Sequence, residues 1–200
     1  SIEHRIGHGR QGVVFKGVRH GARSCRTRHA LKLFDPAIYG SPDEYWNDMG
    51  RVSTQIADLH MNRSPHLLGC DFYEEESGIG YIQMELIEGI NLHELLDSRI
   101  VSSRTAAHKG PGPLFNVFEG RPVIQPGVVV YIMRQMLEGI EALHSAGYLH
   151  CDIKPANVMI DSRGYVRIID LGRAVRVNEG QGRLLGTPRY SAPEVHRGAA

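Results

Sequence analysis

The chain has 200 residues, 42% hydrophobic and 22% charged, with a formal net charge of +1. That composition is ordinary for a globular domain, the charge gives no global field for nucleic acid or an acidic membrane, and no apolar run approaches the roughly 20 residues of a spanning helix. The three cysteines, Cys25, Cys70 and Cys151, are too few and too odd in number for a disulfide framework and suit a reducing, cytoplasmic setting.

The first pattern is Ile6-Gly7-His8-Gly9-Arg10-Gln11-Gly12-Val13-Val14-Phe15, read as strand, glycine turn, strand. Glycines at 7, 9 and 12 permit close backbone approach. A β-prone run follows them, not a helix, which argues against a dinucleotide-binding turn and for a two-stranded flap over phosphates. Arg28 to Phe34 alternates as a strand and puts Ala30 and Lys32 on one face, where a half-buried ammonium needs a partner. Ser41-Pro42-Asp43-Glu44 is a capping box that opens a helix. Gly50 is expected to break or bend it, and Val52, Ile56 and Leu59 continue at helical spacing up to Ser64-Pro65.

Residues 66–73 and 81–87 read as paired strands across the acidic turn Glu74 to Gly78. Glu88-Gly89 is a hinge-like break, and Asn91 to Asp97 a short helix with Leu92, Leu95 and Leu96 inward. Residues 98–127, rich in Gly, Pro, Ser and Arg, read as an inserted loop, with Leu114, Phe115, Val117 and Phe118 as its anchors. Val128 to Ala146 is the longest helical pattern, its Met residues acting as core filler, and Gly147 stops it. Val158 to Ile160 and Val166 to Ile169 form a hairpin across Asp161 to Gly164.

The chemistry concentrates in His150-Cys151-Asp152-Ile153-Lys154-Pro155-Ala156-Asn157, with Asp170-Leu171-Gly172 downstream. Asp152, Asn157 and Asp170 set two carboxylates and an amide close together. Such oxygens suit a hard cation, and a phosphate-bearing substrate needs such ions. A phosphoryl-transfer site is the expectation. Strands dominate to about residue 87 and helices after it, so the fold class is α+β. We expect a small antiparallel-sheet lobe with one key helix over 1–88, hinged to a mainly helical lobe over 89–200.

Taken together, these motifs resemble a eukaryotic-type protein kinase over nearly the whole chain. Gly7-x-Gly9-x-x-Gly12-x-Val14 resembles the glycine-rich loop, Ala30-Leu31-Lys32 the phosphate-binding strand lysine and His150 to Asn157 the catalytic loop. Asp170-Leu171-Gly172 resembles the magnesium triplet, and Gly186-Thr187-Pro188 to Pro193-Glu194 the end of the activation segment. The resemblance implies a bilobal kinase fold, ATP and Mg2+ as cofactors, and a protein substrate. It makes Asp152 the residue that orients the acceptor hydroxyl and Lys154 the one that steadies the phosphoryl group. Asn157 and Asp170 become metal ligands, and Thr187 contacts Asp152 and Lys154.

Ile6, the amides between Gly7 and Gly12, and Lys32 would enclose the triphosphate. Val14, Ala30 and Met159 would sandwich adenine, with Met84 as gatekeeper. The backbone from Glu85 to Ile87 would bind the base edge and Asn91 would lie near the ribose. Lys154-Pro155 and Thr187 resemble the serine/threonine class.

Three departures stand out. Gln55 occupies the helix position where a glutamate usually meets the strand lysine, with Asp48 and Asp58 as substitutes if the helix is shifted. Cys151 replaces the usual arginine before the catalytic aspartate, and residues 173–185 hold no Ser, Thr or Tyr. Those two absences agree with activity independent of phosphorylation there. The chain also stops just past Pro193-Glu194, so a segment of a longer protein is expected. The alternatives to an active kinase are a pseudokinase acting as a nucleotide-binding scaffold and a small-molecule kinase. The 186–194 segment disfavours the latter.

Overall fold

The structure is a computed structural model and describes residues 1–9, 11–97, 114–118, 121–177 and 186–196. The chain divides into two compact units, Ser1–Ser64 with Leu68–Ile87, and Pro65–Leu67 with Glu88–Ala200.

The first unit is a five-stranded antiparallel sheet carrying one long helix. Its strands are β1 (Ile2–Gly9), β2 (Gly12–His20), β3 (Arg26–Phe34), β4 (Cys70–Glu76) and β5 (Ile79–Glu85), in the order β1-β2-β3-β5-β4. The helix α1 spans Pro42–Met61, capped by the Ser41 hydroxyl on the Glu44 amide at 3.2 Å. The Glu44 carboxylate reaches back to the Gly40 amide at 3.0 Å, so the capping reads as the sequence suggests, one residue displaced.

Strand alternation sorts the side chains. Ala30 and Phe34 of β3, and Ile82 and Met84 of β5, face α1 and close a core with Tyr45, Met49, Val52 and Ile56. Tyr45 ties this core to the sheet by accepting from the Gly80 amide at 2.7 Å. Gly12 is obligatory, because a Cβ there would lie 1.9 Å from the Leu33 carbonyl oxygen.

Gly50 does not break the helix. α1 runs unbroken through it, since a glycine costs only about 1 kcal/mol against alanine and the buried stripe from Tyr45 to Ile56 holds both halves. The 66–73 strand is shorter than expected. It starts at Cys70, and residues 66–69 lead into it through turns and a single parallel bridge from Leu67 to Ile168.

The second unit is built on a helix and short sheets. β6 (Gly89–Asn91) leads into α2 (Leu92–Leu96), where Leu95 is buried but Leu96 is 57% exposed, against the inward placement expected for it. The i, i+3, i+4 spacing of Leu92, Leu95 and Leu96 makes one stripe about 100° wide, and Leu96 lies at its solvent-facing edge, about 100° from the buried Leu95. Part of the expected loop is ordered: β7 (Phe115–Phe118) and β8 (Arg121–Ile124) form an antiparallel hairpin. Residues 98–113 of that insertion lie outside the described residues.

The next helix, α3 (Pro126–Ser145), begins two residues early because Pro126 occupies its first turn. Ile132 and Leu143 are buried, and Met136 packs with Val158 and Val166. Met133 and Leu137 are 47% and 58% exposed, so Met133 is not core filler. A Cβ on Gly139 would meet the His66 carbonyl at 2.8 Å, which fixes that glycine by close approach.

β10 (Val158–Asp161) pairs with β11 (Val166–Ile168) and with β6, and β9 (Tyr148–Leu149) pairs with β12 (Val175–Arg176). The turn between β10 and β11 is pinned by Asp161, whose Oδ1 accepts from the Arg163 and Tyr165 amides at 2.8 and 3.0 Å. A last helix, α4, covers Pro193–His196.

Candidate functional site

The pairing of β9 with β12 and of β10 with β11 has a direct consequence for the site. The segment 150–157 connects β9 to β10, and the segment 169–174 connects β11 to β12. Two loops therefore bridge the same two small sheets and run side by side. A backbone hydrogen bond of 2.9 Å from the Ile169 amide to the Asn157 carbonyl joins them at one end. His150 joins them again: its Nε2 lies 3.2 Å from the Ile169 carbonyl, while its Nδ1 accepts from the Asp152 amide at 3.2 Å. That pattern needs a neutral ring protonated on Nε2. Burial, which lowers the His150 pKa against smaller opposing contributions from the Ile169 carbonyl and nearby aspartates, favours that form.

Asp152 is buried and fully ligated. Its Oδ1 accepts from the Thr187 hydroxyl at 2.7 Å and the Thr187 amide at 3.0 Å. Its Oδ2 accepts from Lys154 Nζ at 2.7 Å and Asn157 Nδ2 at 3.2 Å. Lys154 Nζ also donates to the Thr187 hydroxyl at 3.0 Å, which closes a ring of three residues. Burial pushes the Asp152 carboxyl up, but the hydrogen bonds from Lys154 and Thr187 outweigh it and hold the group below the ordinary carboxylate value. A carboxylate with four donors is a weak base held in one fixed orientation.

Two residues of these loops adopt left-handed backbone. Cys151 has φ 62° and Asp170 φ 61°, both rare for residues with a Cβ. The twist at Cys151 directs Asp152 into the buried ring. Cys151 itself is half-buried, donates to the Leu149 carbonyl at 3.6 Å and has its thiol pushed up by burial, the behaviour of a packing residue. Asp170 is exposed, immediately before a 3-10 turn over Leu171–Arg173. Residues 178–185, most of the stretch without hydroxyl side chains, lie outside the described residues.

The residues expected around a nucleotide divide between the two units. In the first, Val14 stands directly opposite Lys32 and Ala30 opposite Met84, so all four share the sheet face that carries α1. Gly7 pairs with Val14 and Gly9 with Gly12 in the flap, and Ile6 is 44% exposed on β1. Lys32 is buried, donates to Gln11 Oε1 at 3.2 Å and lies 5.3 Å over the Phe34 ring. Gln11 is a residue that sequence reasoning missed. It is a polar side chain in a glycine turn, with no spacing signal of its own.

Gln55 is buried on the same stripe of α1 as Asp48 and Val52. Asp48 is held by the Tyr39 hydroxyl at 2.7 Å and Arg51 Nε at 3.0 Å. Burial and the bond to Asp48 push the Tyr39 phenol well above its usual range. Glu85 donates its amide to the Gly69 carbonyl at 3.0 Å and accepts from the Gly69 amide at 3.1 Å through its side chain. In the second unit Asn91 pairs with Met159 across β6 and β10, and its side-chain oxygen caps α2 on the Glu94 amide at 2.8 Å.

The family model described as the protein kinase domain matches residues 1–200. The chain belongs to the protein kinase domain family. Among similar curated proteins, the serine/threonine-protein kinase PknL of Mycobacterium tuberculosis (strain H37Rv) is 37% identical over 200 residues, covering 98% of this chain and 43% of that protein. The probable serine/threonine-protein kinase pknA2 of Bifidobacterium longum is 29% identical over 97% of this chain and 23% of its own length. The rat rhodopsin kinase GRK1 is 40% identical over 88 residues, 42% of this chain and 16% of that protein. The chain thus spans less than half the length of these relatives. As a protein kinase domain it is of the family that uses ATP, and the α+β architecture with a five-stranded antiparallel sheet fits that membership. No described helix is long and apolar enough to cross a membrane.

Proposed function

We propose that this kinase domain transfers the γ-phosphoryl group of ATP to serine or threonine hydroxyls of a protein substrate. The supporting observation is the closed ring of Asp152, Lys154 and Thr187. It combines an aspartate aligned to accept a hydroxyl proton with an ammonium beside it to meet the phosphoryl charge. The threonine in that ring, and the serine/threonine kinases that span the chain at 29% and 37% identity, favour that substrate class.

In this reading Asp152 orients the acceptor and takes its proton as the phosphoryl group leaves ATP, and Lys154 neutralises the group in transit. Asn157 and Asp170 offer an amide and a carboxylate oxygen, the donor chemistry of Mg2+, which takes its remaining ligands from phosphates and water. Bound there, the ions would supply charge neutralisation to the phosphates. Lys32 and the flap amides from Gly7 to Gly12 bind the phosphates. Val14, Ala30, Met84 and Met159 line the base, and the backbone of Glu85 to Ile87 binds its edge, with Ile6 and Asn91 at the margins. A cytoplasmic compartment and activity independent of phosphorylation between residues 173 and 185 belong to the same proposal.

The test is transfer of labelled phosphate from ATP to a mixed peptide library, followed by phosphoamino-acid analysis. Phosphoserine and phosphothreonine are expected, with loss of transfer but near-normal ATP affinity in Asp152→Asn. Transfer that survives Asp152→Asn overturns the assignment. A second reading, a pseudokinase, draws on one observation: Gln55, which carries no charge, is buried on α1 where the family usually presents a glutamate. ATP binding without transfer in the same assay selects it. Transfer to small molecules but to no peptide selects a small-molecule kinase.

A further inference from the structure

The flap between β1 and β2 is tied down at its tip. Gly9 pairs with Gly12 across its end, which leaves Gln11 in the turn between them. Two hydrogen bonds join Gln11 to the last residues of β3 and the residue after it. Its backbone carbonyl accepts from the Asp35 amide at 3.1 Å. Its side-chain carbonyl accepts from Lys32 Nζ at 3.2 Å. Gly12 makes the approach possible, because it has no Cβ to meet the Leu33 carbonyl.

Lys32 needs an acceptor of this kind. The residue is only 9% exposed, and an ammonium withdrawn from water is costly unless it is hydrogen-bonded. The strands around it supply no carboxylate: residues 4–34 hold eight Lys and Arg and no Asp or Glu. On α1, the position where the family usually presents a glutamate is Gln55, an uncharged amide. Asp48 of the same helix accepts from Tyr39 and Arg51, and Asp35 Oδ1 accepts from the Ala37 amide.

An amide in the flap also suits an anionic nucleotide better than a carboxylate would. A carboxylate at position 11 would hold the lysine but repel a triphosphate beneath the glycines. The amide oxygen meets the ammonium with a dipole and adds no net charge, so the field of the cation still reaches phosphate oxygens. An ammonium has three N–H donors, and a bond to Gln11 is therefore compatible with bonds to phosphate.

We propose that Gln11 is a positioning residue for ATP: its side-chain carbonyl holds the Lys32 ammonium where the phosphates are bound, and so couples the placement of that lysine to closure of the flap. This rests on the reading of Lys32 and the flap amides as the phosphate-binding groups. Lifting the tip withdraws the acceptor, and lowering it restores the lysine to its place. The effect of Gln11 passes through Lys32, so it is felt by the phosphates and not by the base or the ribose.

Titration calorimetry of the full chain with ATP, ADP and adenosine tests this, using Gln11→Met, Lys32→Met and the double variant. Methionine keeps the length of the glutamine side chain and removes its carbonyl. Gln11→Met should weaken ATP and ADP about tenfold, the loss expected when a charged group gives up a hydrogen bond, and should leave adenosine affinity unchanged. The unchanged adenosine affinity also shows that the variant is folded. In the Lys32→Met background Gln11→Met should cost nothing further, because the two residues act as one unit. ATP affinity at the wild-type level in Gln11→Met overturns the proposal. So does an equal loss for adenosine, which would make Gln11 a shaper of the flap alone, or an undiminished loss in the Lys32→Met background. If Lys32→Met itself leaves ATP affinity unchanged, the assignment of Lys32 to the phosphates falls first and this inference with it.

Discussion

Thr187 grips Asp152 twice through the same carboxylate oxygen, by its hydroxyl at 2.7 Å and its amide at 3.0 Å. The hydroxyl is also an acceptor for Lys154. Thr187→Val keeps the shape and the amide bond but removes both hydroxyl interactions. A hydrogen bond to a charged group contributes about 1.5–3 kcal/mol, so kcat for peptide should fall about 10- to 100-fold. Thr187→Ser should recover most of it. Steady-state kinetics with saturating ATP checks this; an unchanged kcat in the valine variant removes Thr187 from the assembly.

Asp170 is exposed at the end of the loop that the Ile169–Asn157 hydrogen bond holds beside the catalytic loop. Asp170→Ala should leave the fold intact and weaken ATP binding only when magnesium is present. Titration calorimetry of ATP with and without the ion measures the difference. A binding curve indifferent to the substitution takes Asp170 out of the metal site.

The acid side of the pH profile follows from two groups. Burial, foremost among the influences on it, lowers the His150 pKa below its ordinary 6.5, so the unfolded chain takes up its proton first as pH falls. That contribution to stability is intact above 6.5 and is eroded as pH drops below it. Asp152 faces burial that raises its pKa and hydrogen bonds from Lys154 and Thr187 that lower it further, to below 3.8. Its contribution is therefore present above 3.8 and lost only in stronger acid. Activity should be flat from about pH 6.5 to 8, with the urea midpoint declining below 6.5. An activity limb centred above 6.5 would contradict both directions.

Two helical glycines should respond oppositely to alanine. Gly50 in α1 has nothing within 4 Å of an added Cβ, so Gly50→Ala should stabilise by about 0.5–1 kcal/mol. Gly139 in α3 would press a Cβ to 2.8 Å from the His66 carbonyl, and Gly139→Ala should destabilise by about 1–3 kcal/mol. Urea melts of the two variants decide the matter. A gain at both positions would show that the contact with His66 yields freely.

Much of this was legible in the chain before any coordinates. Ala30, Lys32 and Phe34 alternate, and they do face the helix together. Ser41 and Glu44 announced the start of α1. The glycine flap and the β10–β11 hairpin followed from spacing, and the family from the resemblance of five motifs. What escaped was set by tertiary contact. Gly50 reads as a breaker because propensity is local, while the core that overrides it is not. Residues 66–69 read as strand because their apolar pattern serves a single bridge to Ile168 instead of a ladder. The 115–124 hairpin hid in a stretch whose flanks have loop composition. The partnership of Gln11 with Lys32 depends on where a turn folds, which no periodicity reports.

The left-handed twists at Cys151 and Asp170 constrain what the gene can tolerate. Asparagine and glycine sit comfortably in that backbone region, whereas valine, isoleucine and threonine meet their own carbonyl there. A saturation library at codon 151 should therefore lose its β-branched members first. At position 151 that filter acts on a side chain with no chemical part in phosphate transfer, so sequence drift there is limited by the shape of the main chain alone.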